Sequence, residues 1–196
     1  MKASTTRLAA AAAFFFSLHA HASLISFDDL RADGNLVSLE EQGSHAGFAW
    51  SRWYLGDTAV EGYGNAARSG ANYIMNGYGV DALEIAHATA FDFTGAWFAA
   101  PGINGARAGW VQVDGYDLAG ALVGSTGHVA IDGVHRWVAA GFAGVHRLVV
   151  TRDEGFFVMD DFTFAQASPV PEPGTLALFA IGAAAIALRR HGKAPR

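Results

Sequence analysis

The amino-acid sequence predicts an all-β protein whose body is a jelly-roll-like β-sandwich. Short runs of alternating apolar and polar residues recur along the chain, and Gly, Asp and Asn separate these runs. No stretch of the body has the apolar periodicity of a convincing amphipathic helix. About 145 residues remain between two terminal segments of different composition, which suffices for one domain with a real core but not for two.

Eight segments of the body are the clearest strand candidates. The alternation is most regular in residues 90–94 and 110–114. Residues 114–120 predict a hairpin turn with a bulge or a longer loop, and Ala143-Gly144 predicts a turn between two further strands. This number of short strands favours a two-sheet sandwich. The predicted strands are Leu24–Asp28, Gly47–Trp53, Leu83–Phe93, Gly109–Tyr116, Ala119–Gly124, Arg136–Phe142, Val145–Thr151 and Phe156–Phe164.

Residues 61–80 are rich in glycine, tyrosine and asparagine and predict a long irregular loop. Long loops of sandwiches often form ligand surfaces. Tyr63, Tyr73 and Tyr78 are therefore the candidate glycan-binding residues, because the flat C–H faces of sugar rings stack on aromatic side chains. The alternative is that these rings pack in the core.

Two acidic doublets, Asp28-Asp29 and Asp160-Asp161, lie near the two ends of the body. The first and last strands of an antiparallel jelly roll are commonly neighbours, and successive side chains of a strand point to opposite faces. One Asp of each doublet is therefore expected to face inward or to lie under a loop. Uncompensated carboxylates repel each other and are costly to bury, and a structural calcium ion with roughly six to eight oxygen ligands relieves both problems. The alternative is that these aspartates cap turns and face solvent.

Nothing in the sequence indicates catalysis. The Gly-x-Ser-x-Gly motif of a nucleophile elbow is absent, and the absence of cysteine excludes thiolate nucleophiles and Cys-zinc sites. The five histidines of the body match no metal-site template. Carboxylates that a glycosidase would use are present, but no pattern pairs them. We therefore expect a non-enzymatic protein with no catalytic residue. The five histidines are His45, His87, His128, His135 and His146.

The body is acidic. Between Ser23 and Pro169 there are seven arginines, no lysine and 17 Asp plus Glu, so the net charge is 7 − 17 = −10, against −5 for the whole chain. An acidic exterior disfavours nucleic acid, which requires a basic face. Divalent cations and neutral partners are favoured instead.

The N-terminus has the three parts of a signal peptide. Lys2 and Arg7 form a positive region, residues 8–18 form an apolar core, and Ala20-His21-Ala22 fits the small-x-small cleavage pattern. We expect the export translocon to recognise residues 1–22 and cleavage to follow Ala22. The exported domain then spans residues 23–166.

The C-terminal segment, residues 167–196, has the order of a sorting signal. Val170-Pro171-Glu172-Pro173 precedes an apolar run, and the run ends at Arg189-Arg190 in a basic tail, residues 189–196. Residues 174–188 predict a short transmembrane helix and therefore a weak, temporary anchor. The arginines are expected to keep the C-terminus cytoplasmic. This order resembles the PEP-CTERM sorting signal of Gram-negative bacteria, and the resemblance implies processing by an exosortase, a membrane protease-transpeptidase.

A second resemblance concerns the body. Four short segments are similar to parts of extracellular domains often found upstream of this sorting signal, whose architecture resembles galactose-binding-like carbohydrate modules. This resemblance implies a jelly-roll fold and a structural calcium ion where the terminal strands meet. The segments are Phe27–Leu30, Gly47–Trp50, Val111–Asp117 and Phe157–Phe162.

Together these features predict an exported protein that is held briefly in the inner membrane and then sorted to the cell-envelope surface or the extracellular matrix. There we expect it to bind or associate with exopolysaccharide without turning it over. Two alternatives stay open: a hydrolase that acts on the same polysaccharide, and a purely structural matrix protein.

Overall fold

A computed structural model describes residues 22–77, 82–101 and 106–167, together with Gly182. Most of the two targeting segments lies outside the described residues. This applies to the signal peptide before Ala22, to the motif at 170–173, and to the apolar segment and basic tail except Gly182. Tyr78 also lies outside them. In the part of the chain that is described, no helix is long and apolar enough to cross a membrane.

The structure confirms the predicted fold class. The described body is an antiparallel sheet of twelve strands, and between residues 22 and 167 its described part contains no helix. The strands are β1 Ala22–Ile25, β2 Val37–Ser38, β3 Ser44–His45, β4 Phe48–Ser51, β5 Trp53–Asp57, β6 Asn72–Asn76, β7 Ala82–Ala99, β8 Trp110–Tyr116, β9 Leu122–Ser125, β10 Val129–Ala130, β11 Arg136–Arg152 and β12 Val158–Gln166.

Two long strands, β7 and β11, contribute to both layers of the sandwich. The first half of β7 pairs with β4 and with the second half of β11, whereas its second half pairs with β12 and with the first half of β11. Strands β4 and β12 thus follow one another along the same edge of β7. Their rings meet across the interior, with Phe48 of β4 at 4.8 Å from Phe164 of β12 and Trp50 at 5.4 Å from Phe162. The two halves of the sheet therefore face each other over a common core.

The predicted turn at Ala143-Gly144 is wrong. Strand β11 runs without interruption from Arg136 to Arg152, and the ladder to β7 shifts register three times between Ala139 and Arg147. Gly144 has a φ of +69° and donates its N–H to Asp92 Oδ1 at 2.8 Å. Bulges of this kind bend a strand without ending it, which is how β11 passes from one layer to the other.

The predicted irregular loop contains a strand. Residues 72–76 form β6, which pairs with β5 and β12, and all five of its residues are buried. An isolated sequence window did not reveal it because a strand buried on both faces shows no alternation.

A main core of aromatic rings fills the interior. Phe162 lies within 6.5 Å, centroid to centroid, of Phe48, Trp50, Phe91 and Phe93. Most of these contacts are edge-on or tilted, the geometry that the ring quadrupoles favour. With no cysteine in the chain, burial of these rings supplies the hydrophobic stabilisation that a disulfide-free domain needs.

Residues 58–71 cover the outer face of the sheet formed by β6, β12 and the second half of β7. We call them the cover loop. Tyr63 and Ala66 of this loop pack on Tyr73, Met75 and other residues of the strands beneath, forming a second apolar cluster separate from the main core. The remaining members of the cluster are Ala99 and Val158, with Tyr54, Val60, Ala67 and Phe156 packed around it. The cover loop is therefore a packed part of the domain.

The first and last strands are neighbours, as expected. Strand β1 pairs antiparallel with β12, which places Ala22 opposite Ala165. Both ends of the domain therefore leave from one end of the sandwich, called here the tether end. The start of β12, at Val158, lies at the distal end, roughly 25 Å away for eight residues at about 3.3 Å each.

Candidate functional site

Asp160 fastens the cover loop to the sheet. The residue before it, Met159, belongs to the main core, so Asp160 points to the outer face, where the cover loop buries it completely. Its Oδ2 accepts the N–H groups of Arg68 at 2.8 Å and Ser69 at 3.0 Å, and its Oδ1 accepts that of Asp161 at 2.7 Å. Burial raises the pKa of Asp160 to about 7, although these three donors act in the opposite direction.

Asp28 holds the end of the same loop. Its Oδ1 accepts the N–H groups of Ala71 at 2.8 Å and Asn72 at 3.1 Å. Burial acts to raise the pKa of Asp28, but these bonds and one from the Ser26 hydroxyl outweigh it, and the pKa lies below its usual value. Asp28 and Asp160, whose carboxylates were expected to need a cation, therefore accept hydrogen bonds from backbone N–H groups at the end of the cover loop and just after it.

The other two aspartates of the doublets have different surroundings. Asp161, at a φ of +52°, accepts the Ser69 hydroxyl at 2.6 Å. The side chain of Asp29 is 75% exposed and lies 3.5 Å from His45 Nε2, at a cavity of about 500 Å³ beside β1. Among the described residues, no group of three or more His, Cys, Asp or Glu is arranged to hold a metal ion. The calcium ion stays a prediction.

Two of the three candidate glycan-binding tyrosines are not surface residues. Tyr73 is fully buried and Tyr63 is 6% exposed, and their rings stack on each other at 5.5 Å. A sugar cannot reach either face of such a pair, so the prediction that these two rings recognise glycan at the surface is wrong. The physical reason is that the loop folds back on the sheet and uses its own aromatics as the cover. Tyr78 lies outside the described residues.

Beside the cover loop, two half-exposed indoles meet at the surface. Trp97 of β7 and Trp137 of β11 are cross-strand partners, with ring centroids 5.7 Å apart in an edge-on arrangement. The Arg68 guanidinium lies 4.5 Å from the centroid of the Trp97 ring, a cation–π contact. Trp137 packs against the backbone of Gly95, where an added Cβ would lie 2.7 Å from the ring. Arg68 thus fixes the position of the Trp97 ring, and the Gly95 backbone fixes that of the Trp137 ring.

Polar groups surround these indoles. Ser69 and Asp161 lie next to Arg68, and His135 is close enough to both Arg68 and Asp161 to interact with their charges. His135 Nε2 lies 3.0 Å from Ala66 O in the cover loop, and burial is the main factor that lowers the pKa of His135. We call the group of Trp97, Trp137, Arg68, His135 and Asp161 the indole patch. Rigid aromatic faces beside hydrogen-bonding groups of both signs are suited to a ring-shaped polar ligand.

No pattern of consecutive residues marks the indole patch. Trp97 and Trp137 are 40 residues apart, and only the pairing of β7 with β11 makes them neighbours. The sequence shows five tryptophans in a small domain, but this number does not indicate which of them are neighbours in the fold. Another half-exposed indole, Trp110, stacks on His128 at 3.7 Å elsewhere on the molecule.

The buried Asp160 predicts a pH dependence of stability. Its pKa is higher in the folded state than in the unfolded chain, so the folded protein binds more protons between about pH 4 and pH 7. The stabilisation is complete below about pH 4 and is lost as the pH rises through 7, at no more than about 1.4 kcal/mol for each pH unit. Thermal melting from pH 4 to pH 8 measures it.

The matched control for that experiment is Asp160→Asn, whose melting midpoint should decline less over the same range. The comparison with this variant is needed because His135, with its lowered pKa, acts in the opposite direction below about pH 6.5. Parallel curves for the wild-type protein and the variant would contradict the assignment to Asp160.

Comparison with known proteins supports two separate conclusions. The family described as the PEP-CTERM protein-sorting motif matches residues 169–190. The chain therefore carries this motif, which indicates export, a membrane-anchored sorting signal and processing by an exosortase. No curated protein matches the sequence.

Solved structures give the fold. A DUF4465 family protein from Bacteroides caccae ATCC 43185 is similar with a TM-score of 0.54 at 14% identity, over 74% of this chain and 99% of that one. The N-terminal CBM22-1–CBM22-2 tandem domain from Paenibacillus barcinonensis Xyn10C has a TM-score of 0.44 at 11% identity, over 81% of this chain and 49% of that one. The first likeness shows the β-sandwich fold alone, and the second is too weak to carry a conclusion.

Proposed function

We propose that this protein is an exported, non-enzymatic module that binds extracellular carbohydrate through the indole patch. The observation that carries the proposal is the pair Trp97–Trp137, two half-exposed rings held rigidly beside Arg68, His135 and Asp161. Sugar rings offer apolar C–H faces to such indoles, while the hydroxyl groups exchange hydrogen bonds with the charged and polar neighbours.

The preorganisation of the patch supports binding. The backbone N–H of Arg68 donates a hydrogen bond to Asp160 Oδ2, and His135 Nε2 is hydrogen-bonded to the carbonyl oxygen of Ala66 in the cover loop. Since these contacts order the loop backbone and the His135 ring, and the Arg68 guanidinium already lies on the Trp97 ring, less conformational entropy is lost when a ligand binds. The buried stack of Tyr63 on Tyr73 gives the loop a firm base.

The position of the chain ends suits a tethered module. In the chain the C-terminal sorting signal comes after β12, and Ala165 near the end of β12 lies opposite Ala22 of β1 at the tether end. After removal of the signal peptide, the arginine tail would stay on the cytoplasmic side, and the domain would be anchored on the outer side of the inner membrane. The exosortase would then release it to the envelope surface or the matrix. The short apolar run suits a temporary anchor.

Replacing Trp137 with alanine is the direct test of the proposed function. We expect binding to extracellular polysaccharide, measured on a glycan array and by affinity electrophoresis, to weaken about 30-fold, because truncation of a central tryptophan typically costs about 2 kcal/mol. Because the Trp137 ring is partly buried and packs on Trp97, the melting midpoint should also fall, so binding is measured at a temperature at which both proteins are folded.

Trp110→Ala serves as the matched control, because Trp110 is also half-exposed but lies outside the patch. Equal losses in both variants would contradict the assignment of the site. Release of new reducing ends from the bound polysaccharide would show a hydrolase instead, and no glycan binding by the wild-type protein would leave a structural matrix protein.

A further inference from the structure

Besides the cavity next to β1, a further cavity lies at the distal end of the sandwich. This cavity of about 350 Å³ is lined by Gly62, Gly64, Asn65, Pro101, Arg107 and Gly133. Arg107 forms an isolated bridge with Phe156, two residues before β12 begins, so the cavity lies at the end of β12 opposite the tether. We call it the distal cleft.

The distal cleft and the indole patch are contiguous. Asn65 of the cleft and Arg68 of the patch lie on either side of Ala66 in the cover loop, and Gly133 and Trp137 lie on either side of His135. The contact between His135 Nε2 and Ala66 O is therefore the boundary between the two surfaces. Residues 133 and 134 form a bend, so residues 133 to 137 span less than the roughly 13 Å of an extended chain, and the two surfaces lie close enough together to contact neighbouring sugar rings of one oligosaccharide.

Arg107 is the charged residue in the lining of the distal cleft. The two ion pairs of the described residues, His45–Asp29 and Arg147–Glu84, do not involve it. The nearby Asp132 directs its Oδ1 to the N–H of Val134 at 2.8 Å. A guanidinium presents a planar fork of donors that matches a carboxylate, and Arg107 is exposed and ready to do so.

Glycine keeps this guanidinium uncovered. A Cβ added at Gly133 would lie 4.0 Å from Arg107 Nη1, so a larger side chain at this position would extend over the guanidinium. Gly62 and Gly64 also expose backbone groups to the cleft, where they can bond to hydroxyls. The overall charge of the body, −10 between Ser23 and Pro169, repels a polymer with a negative charge on every residue.

We infer that the distal cleft and the indole patch form one groove for an internal stretch of a sparsely acidic polysaccharide, in which a uronic-acid carboxylate pairs with Arg107. This inference rests on the proposed carbohydrate-binding function. The patch stacks neutral sugar rings, and the cleft selects the acidic one. Selectivity then comes from one charge pair, whereas affinity comes mainly from the indoles.

The test compares oligosaccharides of two to six residues that contain one uronic acid with the same molecules after reduction of the carboxyl group. For the wild-type protein, titration calorimetry should show that the acid forms bind about tenfold or more tightly than the reduced forms, and that the longer oligosaccharides bind more tightly than the disaccharide. Arg107→Gln should remove this preference while the reduced forms bind as before.

Gly133→Leu is the second variant, chosen because Gly133 does not have a positive φ and its added Cβ meets nothing closer than Arg107 Nη1. It should block the cleft and cut the affinity for the longer oligosaccharides, with unchanged melting. Equal affinity of acid and reduced forms for the wild-type protein, or a preference that survives Arg107→Gln, would overturn the inference. In either case binding that still depends on Trp137 would leave the proposed function standing, whereas no binding of acidic or neutral glycans would overturn both.

Discussion

Replacing Asp160 with alanine is expected to lower the free energy of unfolding by about 3–5 kcal/mol at pH 5. The substitution removes the acceptor of three backbone N–H groups, those of Arg68, Ser69 and Asp161, and each donor left buried without a partner costs about 1–3 kcal/mol. Some of this cost is offset because the burial of a carboxyl group also ends. In a domain of this size the melting midpoint should fall by roughly 10 °C. Chemical denaturation and calorimetry measure both quantities.

Asp29→Ala is the matched control for this substitution. Asp29 belongs to the corresponding doublet at the other end of the body, but its side chain is 75% exposed. A surface substitution of this kind should change stability by no more than about 0.5 kcal/mol. If the two alanine variants were equally stable, the role of Asp160 as the fastening of the cover loop would be refuted. A further consequence of that role is that Asp160→Ala should loosen residues 66–70 in hydrogen exchange before the rest of the domain.

Replacing Gly70 with alanine is expected to lower the free energy of unfolding by about 3 kcal/mol. Gly70 has a φ of +54°, which costs a residue with a side chain about 1–2 kcal/mol. An added Cβ would also collide with the Asp28 carboxylate, which would have to move and release its bonds to Ala71 and Asn72. Because Asp28 is exposed, water partly replaces the two lost hydrogen bonds, and their loss costs about 1–2 kcal/mol in all. Denaturant titration gives the free energy directly.

Gly127→Ala separates the two contributions. Gly127 has a similar φ of +63°, but an added Cβ there would meet nothing within 4 Å. This variant should therefore lose only the conformational part, about 1 kcal/mol. A Gly70→Ala variant no less stable than Gly127→Ala would show that the Asp28 carboxylate does not hold the loop. Asp28→Asn, combined with Gly70→Ala, should add little to the loss, since both changes disrupt the same bonds.

Much of the fold could be predicted because strand periodicity is a local property. Residues 110–116 alternate in sequence and form β8, with alternating exposure, and the predicted hairpin after it is present in the pairing of β8 with β9. The predictions that were wrong share one cause. Strand β6 and the bend in β11 depend on which residues lie on the two sides of the strand, and distant parts of the chain decide that.

The residue types of the candidate site could be identified from the sequence, but their positions and partners in the fold could not. The expectation that one carboxylate of each doublet faces inward or lies under a loop is wrong for Asp28 and Asp29, which are both exposed, but is confirmed for Asp160. Its partners, however, are backbone donors of the cover loop, and every residue has such a donor, so the sequence pattern does not mark them. The tyrosines of the same loop were identified as a possible surface, yet packing onto β6 buries Tyr63 and Tyr73.

By itself the sequence determined that the chain is an all-β domain and that it carries a PEP-CTERM sorting motif, since strand alternation and a sorting motif are both read from consecutive residues. Only the tertiary structure decided that Trp97 meets Trp137, that the cover loop closes over Asp160, and that Arg107 lines the cleft beyond them. The physical reason is that these groups are brought together by strand pairing and by burial of apolar area, which act between residues far apart in the chain. Local patterns specify elements, whereas sites form where the elements meet.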